Sequence, residues 1–172
     1  GIHLFHSSAI EIERNSIRGT RDGIYFSFSS GNTIVDNEVA GVRYGLHYMY
    51  SDDNTFEKNL FTANATGAAL MYSKGILLRA NRFVANRSHR AYGMLMQSVD
   101  DTRVEENEFS GNTLGLYIEN GNNCTISHNR IRDNYVGLRV TDSSAANRFF
   151  SNTFSGNLHP VETSGRNGAN TW

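Results

Sequence analysis

Glycine sets a fixed beat along this chain. Gly1, Gly23, Gly45 and Gly67 stand 22 residues apart, and Gly93, Gly115 and Gly137 resume that spacing after one step of 26. A constant period of this size is the mark of a solenoid, in which each repeat is one supersecondary unit stacked on the next. Fourteen residues after each glycine comes an asparagine, at Asn15, Asn37, Asn59, Asn81, Asn107 and Asn129, slipping by one to Asn152. A second asparagine follows five residues later at Asn64, Asn86, Asn112, Asn134 and Asn157.

The apolar residues keep the same phase. One column reads Ile2, Ile24, Leu46, Ala68, Met94, Leu116 and Leu138; two residues on, another reads Leu4, Phe26, Tyr48, Leu70, Met96, Ile118 and Val140. Two more columns pass through Ile12, Ile34 and Phe56, and through Ile17, Val39 and Phe61. Short stretches of period-two alternation separated by Gly, Asn, Asp and Ser predict strands joined by turns. A coil this short cannot hold a strand and a helix, which excludes leucine-rich and helical repeats. The expected fold is all-β: a right-handed single-stranded parallel β-helix of about seven 22-residue coils, with about three strands per coil. Like residues then stack at about 4.8 Å, so that the asparagines become ladders satisfying buried turn backbone.

The repeats fill residues 1–157 and leave 158–172, with Pro160, Gly165 and Gly168, as an expected irregular C-terminal segment. Gly1 is already in phase, so the chain reads as part of a longer solenoid. A net charge of −1 gives no nucleic-acid footprint, and no apolar run is long enough for direct membrane insertion. The single cysteine, Cys124, falls two positions before Ile126 and reads as a buried spacer.

Inward columns are committed to folding, so chemistry is expected where outward columns depart from bland polar residues. Outward positions lie two and four residues after each glycine. The first of these columns begins His3, Tyr25, His47, Ala69, and the second begins Phe5, Ser27, Met49, Met71. His47, Met49 and Met71 form a soft donor set suited to Cu(I). The same methionines, with His3 and Tyr25, also suit an apolar surface on which another protein packs. Phe28, Tyr50 and Tyr72 make an adjoining aromatic column, with His6 in phase, and its tyrosines could serve a partner or a sugar. The four-residue insertion makes a basic loop containing His89 and Arg90, a second candidate contact surface. Asp52-Asp53 and Asp100-Asp101 are the carboxylate pairs that sugar-bond chemistry would use, but acidic residues at those positions also suit turns. His128 and His159 read as surface residues, and no phosphate loop, zinc spacing or nucleophile elbow is present.

The segment Tyr44-Gly45-Leu46-His47-Tyr48-Met49-Tyr50-Ser51-Asp52-Asp53-Asn54-Thr55, followed one coil on by Gly67-Ala68-Ala69-Leu70-Met71-Tyr72-Ser73-Lys74, closely resembles the NosD family. The resemblance implies a periplasmic accessory protein and not an enzyme. It would serve copper-site maturation of nitrous oxide reductase, with the ABC transporter subunits NosF and NosY and the copper lipoprotein NosL as partners. The alternative is a carbohydrate-binding or carbohydrate-processing β-helix of the polysaccharide lyase or epimerase kind.

Overall fold

The computed structural model describes residues 1–89, 91–164 and 169–172. Within them the chain winds through three parallel sheets of eight, seven and seven strands, with no helix among the described residues. The first sheet runs through Ile2–Phe5, Asp22–Ser27, Tyr44–Met49, Thr66–Lys74, Tyr92–Asp100, Leu114–Glu119, Val136–Val140 and His159–Thr163, each paired with the strand one coil on. The other two sheets are ladders of three-residue strands, one starting at Glu11–Glu13 and the other at Ser16–Arg18. This is the stacked parallel β-helix that the glycine period predicts.

Glycine recurs because the next coil comes too close for a side chain. A Cβ on Gly45 would lie 2.5 Å from the Gly67 carbonyl oxygen and 2.9 Å from Phe61 Cδ1, and one on Gly93 would lie 2.5 Å from the Gly115 carbonyl oxygen. The column is therefore a requirement of backbone-to-backbone approach. Inside, the four apolar columns stack into one continuous core. Phe61, Phe83 and Phe109 lie nearly parallel, with centroids 5.3 and 5.0 Å apart.

Each coil bends at residues in the left-handed region. In the third coil these are Tyr50, Asp53, Lys58 and Ala63, with φ of 49°, 55°, 54° and 52°. The residue after each bend turns inward, which explains the asparagines. Asn59 Oδ1 accepts from the Asn37 backbone N–H at 2.9 Å and from Asn37 Nδ2 at 3.0 Å. Its own Nδ2 donates to the Ile34 carbonyl at 2.9 Å and to Asn81 Oδ1 at 3.0 Å. One amide thus serves a donor and an acceptor that the bend removes from the sheets. The ladder from Asn15 to Asn152 and the ladder from Asn64 to Asn157 both form.

Two further ladders accompany them. Asn32 and Asn54 start a third, which Thr102, Cys124, Asn147 and Asn170 carry on after an interruption at Ile76. Ser29, Ser51 and Ser73 form a fourth. Cys124 is thus more than a spacer: its thiol donates to the Val99 and Asn122 carbonyls at 3.3 and 3.4 Å, in the role an asparagine amide plays elsewhere. Burial pushes its pKa up to about 12, so it stays a thiol and offers no thiolate to a metal.

The structure departs from one expectation. The segment 158–172 is not simply irregular. His159–Thr163 is the eighth strand of the first sheet, in register with Val136–Val140, and Asn170 Oδ1 accepts from the Asn147 backbone N–H at 2.9 Å. Trp172 stacks on Phe149 at 4.4 Å. The phase is hidden in the sequence because the spacing stretches to 23 residues and Pro160 replaces the glycine. The pairing to the preceding coil needs no N–H from Pro160, because His159 N–H donates to the Tyr135 carbonyl at 2.9 Å. The insertion, in turn, leaves the register untouched: Ala68 still pairs with Met94, and Phe83 with Phe109. Ser88 Oγ donates to the Ala65 carbonyl at 3.2 Å and Arg87 Nε to the Gly111 carbonyl at 2.6 Å, which ties the loop down. Arg90 lies outside the described residues, as do Gly165 and Gly168.

Asn59→Leu should cost about 2–5 kcal/mol in denaturant unfolding, because it strands a buried N–H and a buried carbonyl. Asn15→Leu, at an exposed position, should cost under about 1 kcal/mol. Equal losses would show that the ladder does not support the bends. A second test is pH-dependent. Burial alone would raise the Glu108 pKa, but Arg82 Nε at 2.9 Å, Arg132 Nη2 at 2.6 Å and Ser110 outweigh it and hold it below the ordinary 4.5. A depressed folded value means stability that is complete above the unfolded pKa and lost as pH falls through the folded one. Glu108→Gln should therefore destabilise the protein at neutral pH, and the gap from wild type should close in acid. A gap that persists in acid would contradict this.

Candidate functional site

The outer face of the first sheet carries the departures from the repeat, and they fall into adjoining clusters. The alternation that directs side chains outward is broken at each glycine. Along Tyr44–Met49, the residues Tyr44, His47 and Met49 all face out, while Gly45, Leu46 and Tyr48 are buried. Tyr44 and its register partner Asp22 thus join His47 on one surface.

His3, Tyr25 and His47 stack directly, with ring centroids 4.5 and 4.7 Å apart and planes inclined by 20° and 25°. The stack stops at Ala69, which takes the same position one coil on. Tyr44 closes on His47 from within its own strand at 4.9 Å. Arg43 grips Asp22 with both ends of its guanidinium, Nε to Oδ1 at 2.9 Å and Nη2 to Oδ2 at 2.8 Å, and also lies 4.6 Å from the centre of the Tyr44 ring. His47 Nδ1 is buried without a hydrogen-bond partner among the described residues and stands 3.5 Å from Asp22 Oδ2.

The charges of this cluster follow from that geometry. Burial would raise the Asp22 pKa, but the Arg43 hydrogen bonds and charge outweigh it and hold the carboxyl below its usual value. For His47 burial dominates and lowers the pKa, and the attraction of Asp22 only partly offsets it. Near neutral pH the cluster is therefore a guanidinium, a carboxylate and a neutral imidazole.

Met49 and Met71 are direct register partners on adjacent coils, both half-buried and both outward. They sit two positions beyond the His47 and Ala69 pair, so all three candidate ligands share one face. His47 Nδ1 turns toward the start of the strand, away from the methionines, which leaves Nε2 as its free donor. No three His, Cys, Asp or Glu side chains converge to hold a metal among the described residues. One imidazole with two thioethers is a donor set that suits a soft ion.

The aromatic column borders the methionines. His6, Phe28, Tyr50 and Tyr72 form one continuous stack, with centroids 5.2, 5.3 and 5.2 Å apart and planes within 11° of parallel. Phe28, Tyr50 and Tyr72 are 50%, 47% and 47% exposed, and Phe5 beside them is 58% exposed. All four stacked residues have left-handed backbone, with φ of 48°, 51°, 49° and 52°. Bulky side chains are rare in that region and carry strain there. The stack ends at Ser98, whose hydroxyl accepts from Asn120 Nδ2 at 3.0 Å.

The remaining candidates lie elsewhere or are structural. His89 is not part of the methionine face: it lines a cavity of about 250 Å³ with Tyr92, Tyr135 and Arg139, near the start of the first sheet's strands in later coils. The paired aspartates stand at or just past the ends of first-sheet strands. Asp52 Oδ1 accepts from the Lys74 N–H at 2.9 Å, Asp100 Oδ1 accepts from the Asn122 N–H at 2.8 Å, and Asp53 and Asp101 occupy left-handed bends. Sequence reasoning missed Asp22, Arg43 and Tyr44. The available signal was a charged and aromatic run immediately before Gly23 and Gly45.

A family model described as periplasmic copper-binding protein (NosD) matches residues 1–172. The chain belongs to the NosD family. No curated protein matches it. Among solved structures, the chain is similar in fold to a mutant of the periplasmic alginate epimerase AlgG, at 19% identity and a TM-score of 0.63, over 73% of this chain and 36% of that one. It is also similar to the A-module of a mannuronan C-5 epimerase from Azotobacter vinelandii, at 14% identity and a TM-score of 0.54, over 95% of this chain and 72% of that one. The chain thus spans about a third of the AlgG chain, and likeness at these identities establishes the solenoid alone. No helix among the described residues is long and apolar enough to cross a membrane.

If the exposed ring ladder is built for contact, a ring can be removed cheaply. In Tyr50→Asn, relief of left-handed strain, about 1–2 kcal/mol, opposes the loss of two stacking contacts at about 0.5–1.5 kcal/mol each. The expected net change in unfolding free energy is within about 2 kcal/mol. A loss above about 3 kcal/mol would make the ladder a structural support.

Proposed function

We propose that this chain is a copper-handling scaffold acting in the periplasm, an accessory to copper-site maturation of nitrous oxide reductase and not an enzyme. The observation that carries the proposal is the register of Met49 on Met71, on the same outer face as His47, in a chain of the NosD family. Copper is cargo here. Two thioethers on neighbouring coils and the Nε2 of His47 offer a soft, neutral donor set suited to receiving Cu(I) and releasing it. Cys124, held as a buried thiol, takes no part.

The exposed rings of Tyr50 and Tyr72, continuous with the methionine pair, form the surface on which a copper donor such as NosL docks. His3 and Tyr25 extend it on the His47 side, and His89 marks a separate contact surface suited to the transporter subunits NosF and NosY. Clustered exposed apolar groups rimmed by polar ones are the usual form of such interfaces. The carbohydrate alternative is the less favoured reading: Asp52 and Asp100 each have an oxygen taken by a backbone N–H one coil on, and the family match points to copper.

Titration of Cu(I) under reducing conditions, against a competing chelator, tests the proposal on wild type and on the Met49→Leu/Met71→Leu double variant. The variant should bind at least about tenfold more weakly, since even outer-shell changes act on that scale. Equal affinity would remove the site.

A further inference from the structure

Beside the proposed ligands sits a group that they do not account for. Asp22 comes from the preceding coil and is held on both oxygens by Arg43, and Oδ2 stands 3.5 Å from the buried His47 Nδ1. Nδ1 has no other partner among the described residues. A neutral imidazole carries its proton on one nitrogen and a lone pair on the other, and the neighbours decide which. A lone pair on the buried Nδ1 would face a carboxylate oxygen. A proton on Nδ1 faces the same oxygen favourably. Rings on two sides hold the imidazole in this orientation, with Tyr25 at 4.7 Å and Tyr44 at 4.9 Å.

We propose that Asp22, locked in place by Arg43, is a positioning residue that keeps the His47 proton on Nδ1 and so presents Nε2 as a ready donor on the methionine face. The role of that donor rests on the copper-handling reading above; the tautomer itself does not. Carboxylates behind metal-binding histidines commonly fix ring orientation and tautomer in this way. The arrangement draws its parts from successive coils: Asp22 from one, and Arg43, Tyr44 and His47 from the next.

Asp22→Leu discriminates sharply because it takes away the acceptor that faces Nδ1. The Arg43 guanidinium left beside the ring can only donate, which favours a lone pair on Nδ1 and the proton on Nε2, where it blocks a metal. Ring-nitrogen NMR on the metal-free protein, at a pH where the imidazole is neutral, reads the tautomer directly. The expected result is Nδ1–H in wild type and Nε2–H in Asp22→Leu, with Cu(I) affinity reduced about 10- to 100-fold in the variant. A wild-type His47 protonated on Nε2 would overturn the proposal even if the variant failed to fold, and so would an unchanged tautomer in the variant. If the tautomer inverts and Asp22→Leu binds Cu(I) as wild type does, while Met49→Leu/Met71→Leu does not, then His47 is no ligand and the positioning role falls. If the methionine variant itself binds as wild type, the copper reading fails whatever the tautomer.

Discussion

Everything in this structure depends on how the corners of each coil are satisfied. A strand that bends sharply into the next sheet leaves an N–H and a carbonyl that no parallel neighbour can reach. In a rod only a few side chains wide, those groups are buried. The asparagine amide meets both needs at once and bonds its counterparts above and below. Without it the coil could not turn in so few residues, and the flat outer faces that carry the functional groups would not exist. The glycine column works with it by letting backbone meet backbone at the start of the first sheet. Corners and close approach together fix the register, and the register places Met49 against Met71.

The fold was legible because every coil poses the same physical problem and answers it with the same residue. Gly45 and Asn59 have counterparts above and below, so their columns stand out from a single sequence. Where the answer varies, the signal fades. The third ladder is built from asparagine, threonine and cysteine and is interrupted at Ile76, so Cys124 reads as one more apolar residue. The last strand was hidden for a similar reason: a one-residue stretch and Pro160 break the period by which the other coils are recognised.

The candidate site was half legible. His47, Met49 and Met71 lie on one face, as simple alternation requires. Asp22, Arg43 and Tyr44 could not be placed that way. Alternation resets at the glycine, so that residues three apart, Tyr44 and His47, face the same side. The contact of Asp22 with His47 also crosses between coils on a diagonal that no column contains. Nor could the sequence separate the basic loop from the methionine face, because the loop leads into a first-sheet strand and the methionines stand further along such strands, so that only distance along the strands keeps them apart. The left-handed backbone under the ring ladder was likewise invisible, since phenylalanine and tyrosine are poor markers of such a conformation.

The extra four residues before Tyr92 show how separable such a rod is. The coils on either side of them keep step as if nothing had been added. In a globular core the same insertion would disturb contacts in every direction. Here each coil answers only to the one above and the one below, so its outer residues can diverge independently of the rest. A family built on this plan can acquire a new surface on one coil while the coils next to it keep an older task.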